Sequence, residues 1–108
     1  MADAYLVLFV ADPADDEHAD ALRAAARSVP GAGFFDDPMG ETERTVGAYL
    51  KTEDLGAGRP LLRAVARVSA ALAARIEVQH REAVLGFIVD GDPDAALTQA
   101  LGDIPDRL

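Results

Sequence analysis

The 108-residue chain contains no cysteine, which excludes disulfides, thiolate metal sites and a cysteine nucleophile. Aromatic residues make up only 6% of the sequence although half of it is hydrophobic, so the core is expected to be mainly aliphatic. This length is typical of one domain that is large enough for a single hydrophobic core. We therefore expect residues 1–108 to form one domain, with residues 92–108 as a C-terminal helix and tail.

Basic residues are scarce: ten Lys and Arg stand against nineteen Asp and Glu, a formal net charge of -9. Such a chain repels a phosphate backbone, so nucleic acid is not expected as a partner. The first apolar run, Ala4 to Ala11, is too short to span a membrane, and Asp3 stands where a signal peptide carries positive charge. A cytoplasmic protein without a membrane partner is expected.

Sequence motifs of the common catalytic and cofactor sites are also missing. There is no glycine-rich phosphate loop, no Ser-His-Asp order and no G-x-S-x-G pattern in the chain. No cofactor is predicted, and a non-catalytic role is favoured over an enzymatic one.

Strand and helix patterns alternate along the chain in the order βαββαβ. They predict strands at 4–10, 33–35, 43–51 and 83–89 and helices at 13–29 and 60–78. Asp12 and Pro13 are typical of a helix start, and Asp92-Pro93 repeats that signal for a short final helix that ends at Gly102.

This order predicts an α+β fold, the ferredoxin-like βαββαβ plait. It has a four-stranded antiparallel sheet in the order 4-1-3-2, with two helices on one face. A short C-terminal helix is added to it here. The second strand is short and contains Gly33, which leaves a three-stranded variant open.

Two helices cover only one face of such a sheet, and the other face is predicted to be apolar. If Leu6, Leu8 and Val10 point towards the helices, the alternate residues of the first strand point away from them. Soluble monomers rarely leave a large apolar patch bare. The residues predicted for an interface or pocket on this face are Tyr5, Val7, Phe9, Gly47, Tyr49, Gly86 and Phe87.

Three explanations for this face remain open. The final helix folds over it through Leu97 and Leu101, or a second copy pairs with it sheet to sheet, or a ligand pocket forms where Gly47 and Gly86 leave room. Four large side chains contribute roughly 1.5–3 kcal/mol each, whereas association costs on the order of 4–15 kcal/mol. A homodimer therefore needs a wider interface than these four.

Two histidines and several acids are weak candidates for a metal or acid–base site. In the predicted topology, His18, His80, Asp36 and Asp37 lie at one end of the molecule. Histidine with carboxylate suits a divalent metal or proton transfer. Their spacing matches no ligand motif, so no metal is predicted.

Four arginines of the second predicted helix follow one another at spacings of four and eight residues. Arg59, Arg63, Arg67 and Arg75 form either a solvated outer ridge or a docking stripe for an acidic protein partner.

The leading hypothesis is a non-catalytic interaction or regulatory domain, homodimeric through its open sheet face, with the arginine helix as a docking surface. The alternative is a small cofactor-independent enzyme of the oxygenase or isomerase type, with a pocket at that face.

Overall fold

The computed structural model describes residues 4–11, 14–38 and 44–101, which contain three helices and six strands. The strands are β1 (Tyr5–Val10), β2 (Gly33–Pro38), β3 (Arg44–Lys51), β4 (Ile76–His80), β5 (Ala83–Val89) and β6 (Asp92–Pro93). The helices are α1 (Asp16–Arg27), α2 (Arg59–Leu72) and α3 (Ala95–Leu101).

The strands form one antiparallel sheet in the order β2-β3-β1-β4-β5-β6. The fold is therefore α+β, but the prediction of a four-stranded ferredoxin-like plait is wrong. The three-stranded variant is wrong as well. The sheet has six strands, and three helices are present in the described part of the chain.

The error arises at the end of α2. Ile76 follows Leu72 by four residues, which is helical spacing, but Ala73 adopts the left-handed conformation with φ 52° and ends the helix. From Ile76 to His80 every second side chain is buried, the pattern of a strand with one covered face. The segment pairs with β1, so the predicted fourth strand is displaced outwards and becomes β5.

The buried hydroxyl of Ser69 supports this early helix end. Ser69 Oγ donates a hydrogen bond of 2.6 Å to the carbonyl oxygen of Ala74 and accepts one of 3.1 Å from the backbone N–H of Gly91. The last turn of α2 is thereby joined to the chain on both sides of the β4–β5 hairpin.

Helix α1 begins later than its sequence signal suggests. Its N-cap is Asp15, whose carboxylate accepts a 3.0 Å hydrogen bond from the backbone N–H of His18. Asp12 and Pro13, on which the earlier start was predicted, lie outside the described residues, as do residues 102–108, where the final helix was predicted to end.

The hydrophobic core lies on one face of the sheet, between the strands and all three helices. Leu8 of β1, Leu22 of α1, Leu62 of α2 and Leu97 of α3 are fully buried in a single cluster. We call this side of the sheet the helix face and the opposite side the open face.

Helix α3 packs on the helix face, so the explanation in which it folds over the open face does not hold. Asp94, the residue before α3, accepts a 2.8 Å hydrogen bond from the N–H of Leu97. Asp92 and Pro93, expected to start the helix, instead pair with the end of β5.

In the described parts of the chain, no helix combines the length and the apolar character that crossing a membrane requires.

Replacement of Gly86 tests the close packing of α3 against β5. Gly86 follows a bulge in β5 and has φ +153°, and a Cβ atom there would lie 2.5 Å from the N–H nitrogen of Leu97. Strain and overlap together predict that Gly86→Ala lowers the free energy of unfolding by about 2–4 kcal/mol in chemical denaturation.

The matched control is Gly56→Ala, because Gly56 has no left-handed φ and the atom nearest to an added Cβ would be a side-chain oxygen of Asp54 at 3.2 Å, with no backbone atom in the way. We expect a change within about 0.5 kcal/mol for this variant. Equal effects of the two substitutions would contradict the packing described for α3.

Candidate functional site

The register of the central strands places the predicted interface residues of β1 and β3 together on the open face. Val7 is paired with Tyr49 and Phe9 with Gly47, and Tyr5 shares their side of the sheet because side chains alternate along a strand. Phe87 of β5 lies on the same side, across Glu77 of β4.

Gly86 does not belong to this surface. It is paired with Val78, whose side chain is buried on the helix face, and it contacts α3. The room that Gly86 provides is therefore used by a helix and not by a pocket on the open face.

Two glycines make room for two aromatic rings that lie across the β2–β3 pair. Tyr49 of β3 is paired with Gly33 of β2, and its ring covers the position that a Cβ atom of Gly33 would take. In the neighbouring pair the roles are exchanged, because the ring of Phe35 covers Gly47. The rings therefore lean over the neighbouring strand, where a side chain on either glycine would displace them.

Tyr5, Phe35 and Tyr49 form a connected aromatic cluster. The ring centroids of Tyr5 and Tyr49 are 5.9 Å apart with an interplanar angle of 72°, and those of Phe35 and Tyr49 are 6.4 Å apart. Such geometry is favourable for ring pairs. Tyr5 and Tyr49 nevertheless remain 36% and 37% exposed, so the cluster presents a large part of its surface to solvent.

A solvent-open depression of about 540 Å³ borders this cluster. We call it the aromatic depression; it is lined by Tyr5, Val7, Phe35, Tyr49, Gln79 and Glu82. Of these six residues, the sequence analysis placed Tyr5, Val7 and Tyr49 on the open face. The alternation of 76–80 would have revealed Gln79, and Phe35 follows once β2 is paired with β3 in register.

The remaining apolar part of the open face lies on β5. Phe87 is half-buried, and Val84 and Val89 are among the most exposed large hydrophobic side chains of the described residues, at 56% and 43%. Arg75 stacks over the ring of Phe87, with its guanidinium carbon 4.2 Å from the ring centroid. Stacking of this kind is a cation–π interaction.

The predicted arginine stripe is consequently divided between two faces of the molecule. Arg75 precedes β4 and contacts the open face, whereas Arg59 is a half-buried residue in the first turn of α2. Arg63 and Arg67 are exposed on α2 and border a depression that is also lined by Asp90 and Asp92. These carboxylates reduce the positive potential that an acidic partner would need.

The candidate metal ligands are not brought together. His80 ends β4 opposite Leu6, and its Nε2 atom lies 2.8 Å from the carbonyl oxygen of Thr52. His18 lies in the first turn of α1, which follows the other end of β1. Among residues 4–11, 14–38 and 44–101 no group of three or more His, Cys, Asp or Glu side chains is arranged to hold a metal ion.

Asp36 has a structural partner instead. Arg44 Nε and Nη2 donate hydrogen bonds of 2.8 and 2.7 Å to the two carboxylate oxygens of Asp36, and Arg44 Nη1 donates one of 2.8 Å to Asp16. These bonds from Arg44 lower the pKa of Asp36 and raise the pKa of Arg44. Asp37 is exposed. The cluster fastens the start of α1 to the β2–β3 edge.

Comparison of the chain with protein-family models, with curated proteins and with solved structures finds no match.

The Arg44–Asp36 contact predicts a specific dependence of stability on pH. Because the folded pKa of Asp36 lies below its ordinary value of 3.8, its contribution is complete above that value. It is lost as the pH falls through the folded pKa. Asp36→Asn should make the fall in unfolding free energy below about pH 4 shallower, measured by denaturant titration at each pH. Asp37→Asn is the matched control, and identical slopes for the two variants would contradict this role.

The paired glycines predict unequal effects of two alanine substitutions. A Cβ atom on Gly47 would approach the backbone oxygen of Leu8 and lie 2.6 Å from Phe35 Cζ, and the central strand cannot move aside. Gly47→Ala should cost about 1–3 kcal/mol of stability. At Gly33 only the ring of Tyr49 is in the way, so Gly33→Ala should cost less. A larger loss for Gly33→Ala in chemical denaturation would disprove this explanation.

Proposed function

We propose that this chain is a non-catalytic interaction domain that forms a homodimer by pairing two open faces. The observation that carries the proposal is the one-sided burial of the sheet. All three described helices pack on the helix face, whereas the open face presents an aromatic cluster and exposed valines. Neighbouring exposed apolar side chains on one face are typical of an interface.

The apolar side chains of the open face are numerous enough to support a dimer. They are Tyr5, Val7, Phe9, Phe35 and Tyr49 on β1 to β3, with Val84, Phe87 and Val89 on β5. Two copies bring sixteen such side chains together. All are already partly buried, so we take about 1 kcal/mol for each, which is less than the usual value. Their sum is similar to the upper end of the roughly 4–15 kcal/mol that association costs.

A second copy fits this face in charge as well. Glu77 and Glu82 lie on the face or at its end, and so do the cationic side chains of Lys51 and Arg75. A surface with both signs of charge around an apolar centre can be self-complementary, as an interface between identical chains requires. The net charge of -9 repels a second copy mainly at long range, where salt screens it.

Residues of the aromatic depression are suited to recognition more than to nucleophilic catalysis. Its six lining residues include no histidine, serine or lysine, and their one carboxylate, that of Glu82, is exposed to solvent. Tyrosine hydroxyls, an amide and a carboxylate can orient a bound group through hydrogen bonds.

The homodimer predicts a molar mass of twice 11.4 kDa in sedimentation velocity, with a dissociation constant that falls as salt is added. Phe9→Asp and Val84→Asp place a charge on the open face and should convert the protein to the monomer, because a buried unpaired carboxylate is costly. Val84 is already 56% exposed, so its substitution should leave the fold intact.

Ala24→Asp is the matched control, since Ala24 is exposed on α1 and the change in charge is the same. This variant should remain dimeric. A wild-type protein that sediments as a monomer at all concentrations, or an Ala24→Asp variant that dissociates as readily as Val84→Asp, would reject the proposed interface.

A further inference from the structure

We propose that the aromatic depression binds a small organic cation of the alkylammonium class. The inference deepens the proposed function by naming a ligand for the open face. One part of the inference depends on that function, namely the covering of the site by a second copy. The depression itself is formed by residues of one chain.

The ring arrangement is the first argument for a cation. Tyr5 and Tyr49 stand at 72° to each other, and Phe35 is tilted by 37° from Tyr49. Three rings of different orientation therefore border one space of about 540 Å³. The negative face of an aromatic ring attracts a cation, and several rings around one site are the usual means of recognising quaternary ammonium groups.

Charge is the second argument. Glu82 is the charged residue among the six that line the depression, and Gln79 adds an amide. Neither lysine nor arginine belongs to the lining, and Lys51, the strand partner of Tyr5, lies outside it. An anionic ligand would meet a carboxylate and ring faces of the same sign, whereas an organic cation meets complementary charge from both.

The position of Glu82 is the third argument, because the chain adopts an unfavourable turn to place it there. Arg81 and Glu82 form the two-residue connection of the β4–β5 hairpin, with φ values of 54° and 68°. Turns of this kind favour Asn-Gly, since other residues are strained at positive φ. Strain of this type often marks a functional site, and here it presents a carboxylate at the edge of the aromatic depression.

Access to the depression is also consistent with a covered open face. Tyr5 is the first residue of β1, and Glu82 lies in the turn at the same end of the sheet. A ligand can therefore enter from the end of the strands and lie against the ring faces, while a second copy covers the bound ligand and the rest of the open face.

The test compares choline with 3,3-dimethylbutan-1-ol, a neutral molecule of the same shape, by isothermal titration calorimetry. We expect choline to bind at least about fivefold more tightly than the neutral analogue. Glu82→Gln and Tyr49→Leu should each weaken choline binding by about five- to thirtyfold. Tyr49→Phe keeps the ring and should bind within about threefold of the wild type.

Phe9→Leu is the matched control, because Phe9 lies on the open face but outside the depression; choline binding should change less than about twofold. Equal affinity for the two ligands, absence of choline binding, or full binding by Glu82→Gln would each overturn the proposal.

Sedimentation of the same samples separates this proposal from the proposed function. A dimer that does not bind choline rejects the cation site alone, and a monomer that binds choline selectively rejects the dimer alone.

A second variant tests the strained turn directly. Arg81→Asn combined with Glu82→Gly supplies the preferred residues and should raise Tm by about 4–8 °C, while choline binding is lost with the carboxylate. A variant that is more stable and still binds choline would show that Glu82 has no part in the site.

Discussion

The structure depends on one constraint, which is that all three helices of the described residues cover the same face of the sheet. Leu22, Leu62 and Leu97 come from three different helices, yet all are buried in one cluster against the same side of the strands. Each strand alternates, so burying one set of side chains turns the other set away from the core. That second set is unusual because it is apolar, whereas the solvent-facing side of an antiparallel sheet normally carries polar residues.

The open face is organised by pairing between neighbouring strands. Tyr49 leans over Gly33 and Phe35 over Gly47, so the rings cover the backbone of the β2–β3 pair. Because Gly33 and Gly47 have no side chains, the two rings can occupy the space next to the backbone of the neighbouring strand. Towards the other edge of the open face, the guanidinium group of Arg75 stacks over the ring of Phe87. Aromatic rings and charged side chains are therefore present on both halves of the open face.

Sequence patterns could predict part of this arrangement, and the physical reason for success or failure differs from one element to the next. The alternation of Tyr5, Val7 and Phe9 with buried neighbours is local, so their common face follows from the strand period alone. The limit of α2 could not be predicted, because Ile76 fits both a helix that continues and a strand that begins. Because of that ambiguity, the start of β4 was predicted as helix and the fold was wrongly predicted to be a four-stranded plait. Gln79 and Glu82 were for the same reason not among the predicted site residues. Phe35 was missed for another reason, since its neighbours are set by strand register, which sequence period does not determine.

The most direct measurement uses the two tyrosines, which are the only tyrosines in a chain without tryptophan and which both lie on the open face. Tyrosine fluorescence therefore reports on this surface alone. Acrylamide, an uncharged quencher, should lose access to Tyr5 and Tyr49 as the protein concentration increases, because two open faces then cover each other. A quenching constant that stays unchanged from dilute to concentrated protein would contradict the account.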